Sequence, residues 1–361
     1  MMDGSDVSAV ARQFEINGEF LHAERYGSGH INDTYRAVFD VGGPQALAIL
    51  QRINHYVFKN PVALMENIQR VTSHLATQAA ADPDRNRRVL SLVPARDGQC
   101  WHLDADGNYW RAYRFIGGAR TYDAAVSTQQ AFQAARAFGQ FQQQLADLSA
   151  PPLHDTIPDF HNTPRRYAAL ERAIEADVAG RAILARPEID FALAHQSIAG
   201  VLLDAKLPER VTHNDTKFNN VMLDDVTGEG ICVIDLDTVM PGLALYDFGD
   251  MVRTTTSPTQ EDERDLSKIA MQFPMFEALV RGYLASAGGF LTKEERQHLA
   301  FSGKLITFEI GLRFLTDYLS GDTYFKVHRD GHNLDRCRTQ FKLIESIEQQ
   351  EERMCRLVES I

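Results

Sequence analysis

Apolar positions along this chain change their period about a third of the way in. Up to residue 115 or so they come in short alternating runs. Residues 24–40 read as strand, glycine loop, strand, 46–53 as a third strand, and 89–93 and 109–115 as two more. Two helical stretches break this pattern. One is a short opening at 7–14. The other is 61–80, where Pro61 sits in the first turn and Val62, Leu64, Met65, Ile68, Val71 and Leu75 share a face. Residues 82–88 form a charged turn, and Gly117-Gly118 is the best candidate for a hinge. Beyond it the period becomes helical. The 124–148 stretch lines up Phe132, Ala135, Phe138, Phe141 and Leu145. Thr163-Pro164 opens another helix as a cap residue ahead of a proline, and 266–285, 293–319 and 334–360 follow. The expectation is an α+β chain with a small β-rich lobe at 1–116 and a larger helical lobe at 117–361.

Composition narrows the class. A length of 361 residues is too great for one comfortable core. The formal charge of −12 argues against nucleic acid or an anionic membrane as the main partner. Cys100, Cys232, Cys337 and Cys355 are far apart, so a zinc site or disulfide framework is not expected. No signal peptide or membrane span is expected, and a cytoplasmic monomer with reduced thiols is.

The chemistry concentrates in one stretch. His213-Asn214-Asp215-Thr216-Lys217-Phe218-Asn219-Asn220 reads His-x-Asp-x-x-x-x-Asn, and Ile231-Cys232-Val233-Ile234 then runs into Asp235. Val221-Met222-Leu223 and Ile231–Ile234 flank the turn-rich 224–230, which predicts a β-hairpin. Facing residues in such a pair lie roughly 5 Å apart, which would bring Asn220 and Asp235 to one end, with Asp215 in the loop just before. A carboxylate and an amide oxygen are hard ligands suited to Mg²⁺. Asp215 is left to accept a hydroxyl proton. This is the layout of an ATP-dependent kinase. Asp237 is the second metal candidate. Asp247-Phe248-Gly249 spells a kinase metal motif but has no strand leading into it, so Asp247 is read as bracing the catalytic loop.

On the nucleotide side, Gly27-Ser28-Gly29 lies between two strand-like runs, where glycines let backbone amides approach a polyphosphate. The lysine a kinase carries on its third strand is replaced here by Gln51, leaving Glu66 without its usual partner. Either the Gln51 amide does the positioning, or Arg52 or Lys217 supplies the charge.

These stretches together resemble the aminoglycoside phosphotransferase and choline kinase superfamily, and within it the N-acetylhexosamine 1-kinases. The likeness runs nearly end to end through Gly29-His30-Ile31-Asn32, 210–217, 234–242 and 311–319. It implies a bilobal, protein-kinase-like fold with ATP between the lobes. It also implies Mg²⁺-dependent phosphorylation of the anomeric hydroxyl of N-acetylglucosamine or N-acetylgalactosamine. By position, Asp215 would be the base, Asn220 and Asp235 would hold magnesium, and His30, Arg313 and Tyr324 would hydrogen-bond the sugar. From the residues alone, Arg313 could instead pair with Asp317 one turn on. The resemblance places an aromatic after the arginine of Asp250-x-x-Arg253. Thr254 stands there instead, so a wider pocket and a different preferred sugar are expected.

Overall fold

The computed structural model describes residues 4–27, 29 and 31–361. The chain divides into two compact units. One comprises 1–123, 147–158 and 221–240, the other 124–146, 159–220 and 241–361. The division is therefore not one cut at the glycine pair, because two later segments return to the first unit.

The first unit is built on an antiparallel sheet. Its strands are β1 (Glu19–Arg25), β2 (Asp33–Asp40), β3 (Ala46–Arg52), β4 (Leu92–Val93), β5 (His102–Leu103) and β6 (Tyr109–Arg114). They run in the order β1-β2-β3-β6-β4, with β5 on β6. β1 starts earlier than the apolar pattern indicates because Glu19–Arg25 is mostly exposed and carries no apolar alternation to read. Trp110, Leu50, Phe14, Phe39 and Tyr35 fill the core on one side. The helix Pro61–Gln78 forms as expected. Asn60 caps it by accepting from the Ala63 N–H, and Leu64, Met65, Ile68, Val71 and Leu75 are buried. Its buried Asn67 explains the first returning segment. The Asn67 amide donates to the His154 and Val239 carbonyls and accepts from the His154 N–H. The expected hairpin is the second. Val221–Asp224 pairs antiparallel with Gly230–Val233, with Val221 opposite Val233, and Ala119–Arg120 adds a third strand.

The second unit is helical. Ser127 caps Thr128–Leu145, whose Phe138, Phe141 and Leu145 are buried. The 266–285 stretch begins as a 3₁₀ turn, and its helix proper is Phe273–Ala287. Pro274 sets that start, since it fits the first helical turn and cannot sit inside a helix. The expected 293–319 and 334–360 helices are each broken once, giving Lys293–Gln297, Leu299–Leu319, His332–Glu348 and Glu351–Ser360. The helices Thr128–Leu145 and Phe273–Ala287 approach closely at Gly282, where a Cβ would strike the backbone carbonyl of Phe132. Gly282→Ala is expected to cost about 1–3 kcal/mol, read as a lower urea midpoint with an unchanged slope.

Beyond the expected helices this unit also contains Arg186–Ala194 and Ala244–Thr255. In Ala244–Thr255 the apolar Leu245, Phe248 and Val252 recur at helical spacing, and the polar Asp247, Asp250 and Arg253 on its other side are buried as well. This helix lies against Leu299–Leu319 at Gly249, where a Cβ would meet the Ser302 carbonyl. No helix among the described residues is long and apolar enough to cross a membrane.

Candidate active site

In the helical unit the strand Arg210–Thr212 runs into the loop that carries Asp215, and a 3₁₀ turn at Phe218–Asn220 closes that loop. Asp247, on the Ala244–Thr255 helix, holds the loop from below. Its two carboxylate oxygens accept from the backbone N–H groups of His213 (2.9 Å) and Asn214 (2.6 Å), and one also accepts from Gln142 at 2.6 Å. The Thr216 hydroxyl donates to the Asp247 carbonyl at 2.6 Å. Asp247 is fully buried, and burial pushes its carboxyl above the ordinary aspartate range despite these donors. Asp247 therefore braces the loop. Asn214 takes the left-handed conformation at φ 65°, one that asparagine tolerates better than most residues.

Asp215 itself lies 2.8 Å from the Lys217 ammonium, with the two side chains 27% and 47% exposed. Burial alone would raise the Asp215 pKa. The Lys217 charge and hydrogen bond, with His213 and Arg253 further off, outweigh it and hold the carboxyl below its usual value. The Asn220 amide nitrogen donates to the Asp215 carbonyl at 2.8 Å and to its side chain at 3.3 Å. That turns the amide oxygen of Asn220 to the other side, as a cation ligand would require.

Arg313 and Tyr324 are neighbours in this unit. The guanidinium approaches the Tyr324 hydroxyl at 3.4 Å and lies 5.4–5.7 Å from the ring centroids of Phe160, Tyr324 and Phe325. The alternative Arg313–Asp317 pair does not form. Asp317 accepts instead from the N–H groups of Thr323, Tyr324 and Phe325 and from Asn333, ordering the loop that presents Tyr324. Arg166 lies on the same side, donating to the Phe160 carbonyl at 3.0 Å. Arg253 is fixed by Asp250 and Glu261, and Thr254 turns its hydroxyl back onto the Asp250 carbonyl at 2.7 Å.

In the β-rich unit Asp235 lies two residues beyond the Gly230–Val233 strand, exposed and in the left-handed conformation at φ 60°. Such backbone in a residue other than glycine is sparsely populated and concentrates at functional sites. Asp237 is placed differently from the expectation of a metal ligand. It is buried, and its two oxygens are taken by the Arg111 guanidinium and by the Asn32 amide, the latter at 2.6 Å. Gln51 lies opposite Arg111 in the β3–β6 register. Its oxygen accepts from Arg111 Nε at 2.9 Å and its nitrogen donates to Thr34 at 2.9 Å. Arg52 is drawn away by Asp33, and Glu66 pairs with His154 at 2.7 Å. Thus the cation beside Gln51 is Arg111. In the sequence Arg111 is one more polar position in a strand. Gly27 adopts φ 80° with open space around its Cα. Ser28 and His30, the other residues expected near phosphate and sugar, lie outside the described residues.

Magnesium fits the donors present. Asp235 and the oxygen of Asn220 are hard ligands, and Mg²⁺ keeps most of its coordination for water and phosphate. The described residues contain no cluster of three or more His, Cys, Asp or Glu side chains suited to a metal ion. A cation of that kind needs none.

Residues 22–285 match the model of the phosphotransferase enzyme family. Solved structures of similar fold include a spectinomycin phosphotransferase in complex with ADP and spectinomycin, at 10% identity and a TM-score of 0.64 over 97% of this chain and 99% of that one. Another is the microcompartment-associated aminopropanol kinase, at 17% and 0.57 over 97% and 98%. A third is a choline/ethanolamine kinase family protein from Mesorhizobium loti, at 18% and 0.56 over 94% and 92%. Identities this low speak for the fold alone, which is the kinase-like α+β class expected.

Proposed function

We propose that this chain, which belongs to the phosphotransferase enzyme family, transfers the terminal phosphoryl group of ATP to the anomeric hydroxyl of an N-acetylhexosamine. The observation that carries the reading is Asp215, kept ionised by Lys217 on a loop fixed at several points by Asp247. The anomeric oxygen forms a new bond to the γ-phosphorus as the bond from that phosphorus to the β–γ bridging oxygen breaks. The electron pair leaves with ADP, and the hydroxyl proton passes to the Asp215 carboxylate. An anomeric hydroxyl is more acidic than an ordinary alcohol, so a carboxylate suffices, and the protein's work is mainly positioning. Asn220 and Asp235 would hold Mg²⁺, which supplies charge neutralisation on the phosphates. Gly27, Gly29 and Gln51 belong to the nucleotide side, with Ser28. Arg313 and Tyr324 offer hydrogen bonds to the sugar, with His30.

The neighbours suggest amine-bearing acceptors as the rival. Choline or another quaternary amine calls for open aromatic faces, whereas here Phe160, Tyr324 and Phe325 surround the protein's own Arg313. A second cation would be repelled there. That favours a neutral polyol. The test is ADP release across N-acetylhexosamines, hexoses, choline, ethanolamine and aminoglycosides, with the product's phosphorus–proton coupling locating the phosphate. Turnover on choline or an aminoglycoside, with none on any N-acetylhexosamine, rejects the sugar. A thermal shift with Mg-ATP but no turnover on any acceptor would make the chain a nucleotide-binding scaffold.

Asp235→Asn is expected to raise the KM for Mg-ATP and lower kcat together, with saturation displaced to higher magnesium. A magnesium titration superimposable on that of the wild type would move the ligand role to another carboxylate.

A further inference from the structure

One buried ion pair beneath the catalytic loop has no part in the reaction as written. The His161 and Glu309 side chains are 4% and 0% exposed. Ring nitrogen Nδ1 lies 2.7 Å from one Glu309 oxygen, and Nε2 lies 3.2 Å from the carbonyl oxygen of Asn214, the residue before Asp215. Thr163 donates to the second Glu309 oxygen at 2.6 Å. A carbonyl has no proton to offer, so Nε2 must carry one. An ionised carboxylate has none either, so Nδ1 carries the other. Facing two acceptors, the ring is an imidazolium.

The surroundings agree. Burial disfavours the cation, but the charge and hydrogen bond of Glu309 outweigh it and raise the His161 pKa. Asp250, on the Ala244–Thr255 helix, acts in the same direction. Burial likewise works against the Glu309 carboxylate, yet His161, Thr163 and Arg313 hold its pKa below the ordinary value. Arg166 adds a further cation facing Glu309. Phe160 and Tyr246 enclose the ring, with centroids 4.7 and 4.9 Å away.

We propose that His161 is a positioning residue: as an imidazolium seated on Glu309, it pins the Asn214 carbonyl and so fixes the Asp215 loop for turnover. The proposal rests on reading Asp215 as the proton acceptor. When the ring loses a proton, Nδ1–H stays with the carboxylate, the stronger acceptor, so the proton lost is that of Nε2. A ring lone pair then faces a carbonyl lone pair, and the loop is released. Turnover should therefore be intact below the His161 pKa and fall as pH rises through it.

Glu309→Gln separates charge from geometry. The amide can donate to Nδ1, leaving Nε2–H on Asn214 in a neutral ring. This variant is expected to keep turnover while losing the alkaline fall seen in the wild type, assayed with whichever panel acceptor releases ADP fastest. His161→Phe should lower kcat at least tenfold with the KM for ATP within about twofold, since it removes the pin and not the nucleotide site. Nitrogen-15 NMR of histidine-labelled protein should find both His161 ring nitrogens protonated at pH 7. That measurement needs no acceptor, so it stands even if the sugar is wrong or His161→Phe fails to fold. A singly protonated ring at pH 7, or an unchanged alkaline fall in Glu309→Gln, would overturn the proposal.

Discussion

Asp215→Asn should reduce kcat by at least about a hundredfold, within the 10²–10⁴ range typical of a lost general base, with the KM for ATP nearly unchanged. The amide preserves size and can still meet Lys217 and Asn220, so the loop keeps its shape. It cannot take the hydroxyl proton, and it removes the negative charge that aims the attacking oxygen. The carboxylate in the native protein is ionised through neutral pH because Lys217 holds its pKa down. The wild type should therefore show no acidic loss of turnover from Asp215 until pH falls below the ordinary aspartate range. Steady-state ADP release at saturating acceptor measures both parameters, and near-normal turnover would remove Asp215 from the reaction.

Asp237→Ala should be the most damaging change to stability. The Arg111 and Asp237 side chains are 1% and 4% exposed, and removing one partner of a buried pair typically costs about 3–5 kcal/mol because the other charge is left uncompensated. Arg111 would keep its bond to the Gln51 oxygen but lose its charged partner, and Asn32 would lose its acceptor. At about 2–4 °C per kcal/mol for a unit of 150–250 residues, the midpoint should fall by about 6–20 °C. Combining Asp237→Leu with Arg111→Met should recover most of that loss, since apolar replacement of a whole buried pair is often neutral. A loss under about 1 kcal/mol in Asp237→Ala, measured by calorimetry, would mean that the guanidinium finds water.

The two residues differ in how they could be found. Asp215 was visible because the motif packs its information into eight consecutive positions. The same holds for the Pro61–Gln78 helix, whose apolar residues repeat every three or four places, and for the hairpin, with its two apolar runs around a turn. Arg111 and Asp237 are 126 residues apart, and His161 and Glu309 148 apart. Nothing near Arg111 distinguishes it from Arg114 on the same strand, which is exposed. The Ala244–Thr255 helix has apolar positions at helical spacing, but its polar side, Asp247, Asp250 and Arg253, is buried rather than solvated, and that only the tertiary structure shows. The surroundings of Asp237 were hidden for a related reason. Two residues after Asp235 this aspartate looked like a second ligand, and only Arg111 and Asn32, brought in from elsewhere, take up its oxygens.

The sequence by itself determined which oxygen- and nitrogen-bearing groups stand at which spacing, and where periodic apolar positions make strands and helices. Both are local properties, written in neighbouring residues. The tertiary structure decided which charge is neutralised by which, which carboxylate stays exposed and which is consumed by the scaffold. It also decided that the Ala244–Thr255 helix and the buried His161–Glu309 pair hold the Asp215 loop. Those outcomes depend on what lies opposite a side chain once water is excluded, and a buried charge is tolerated only where packing supplies its partner.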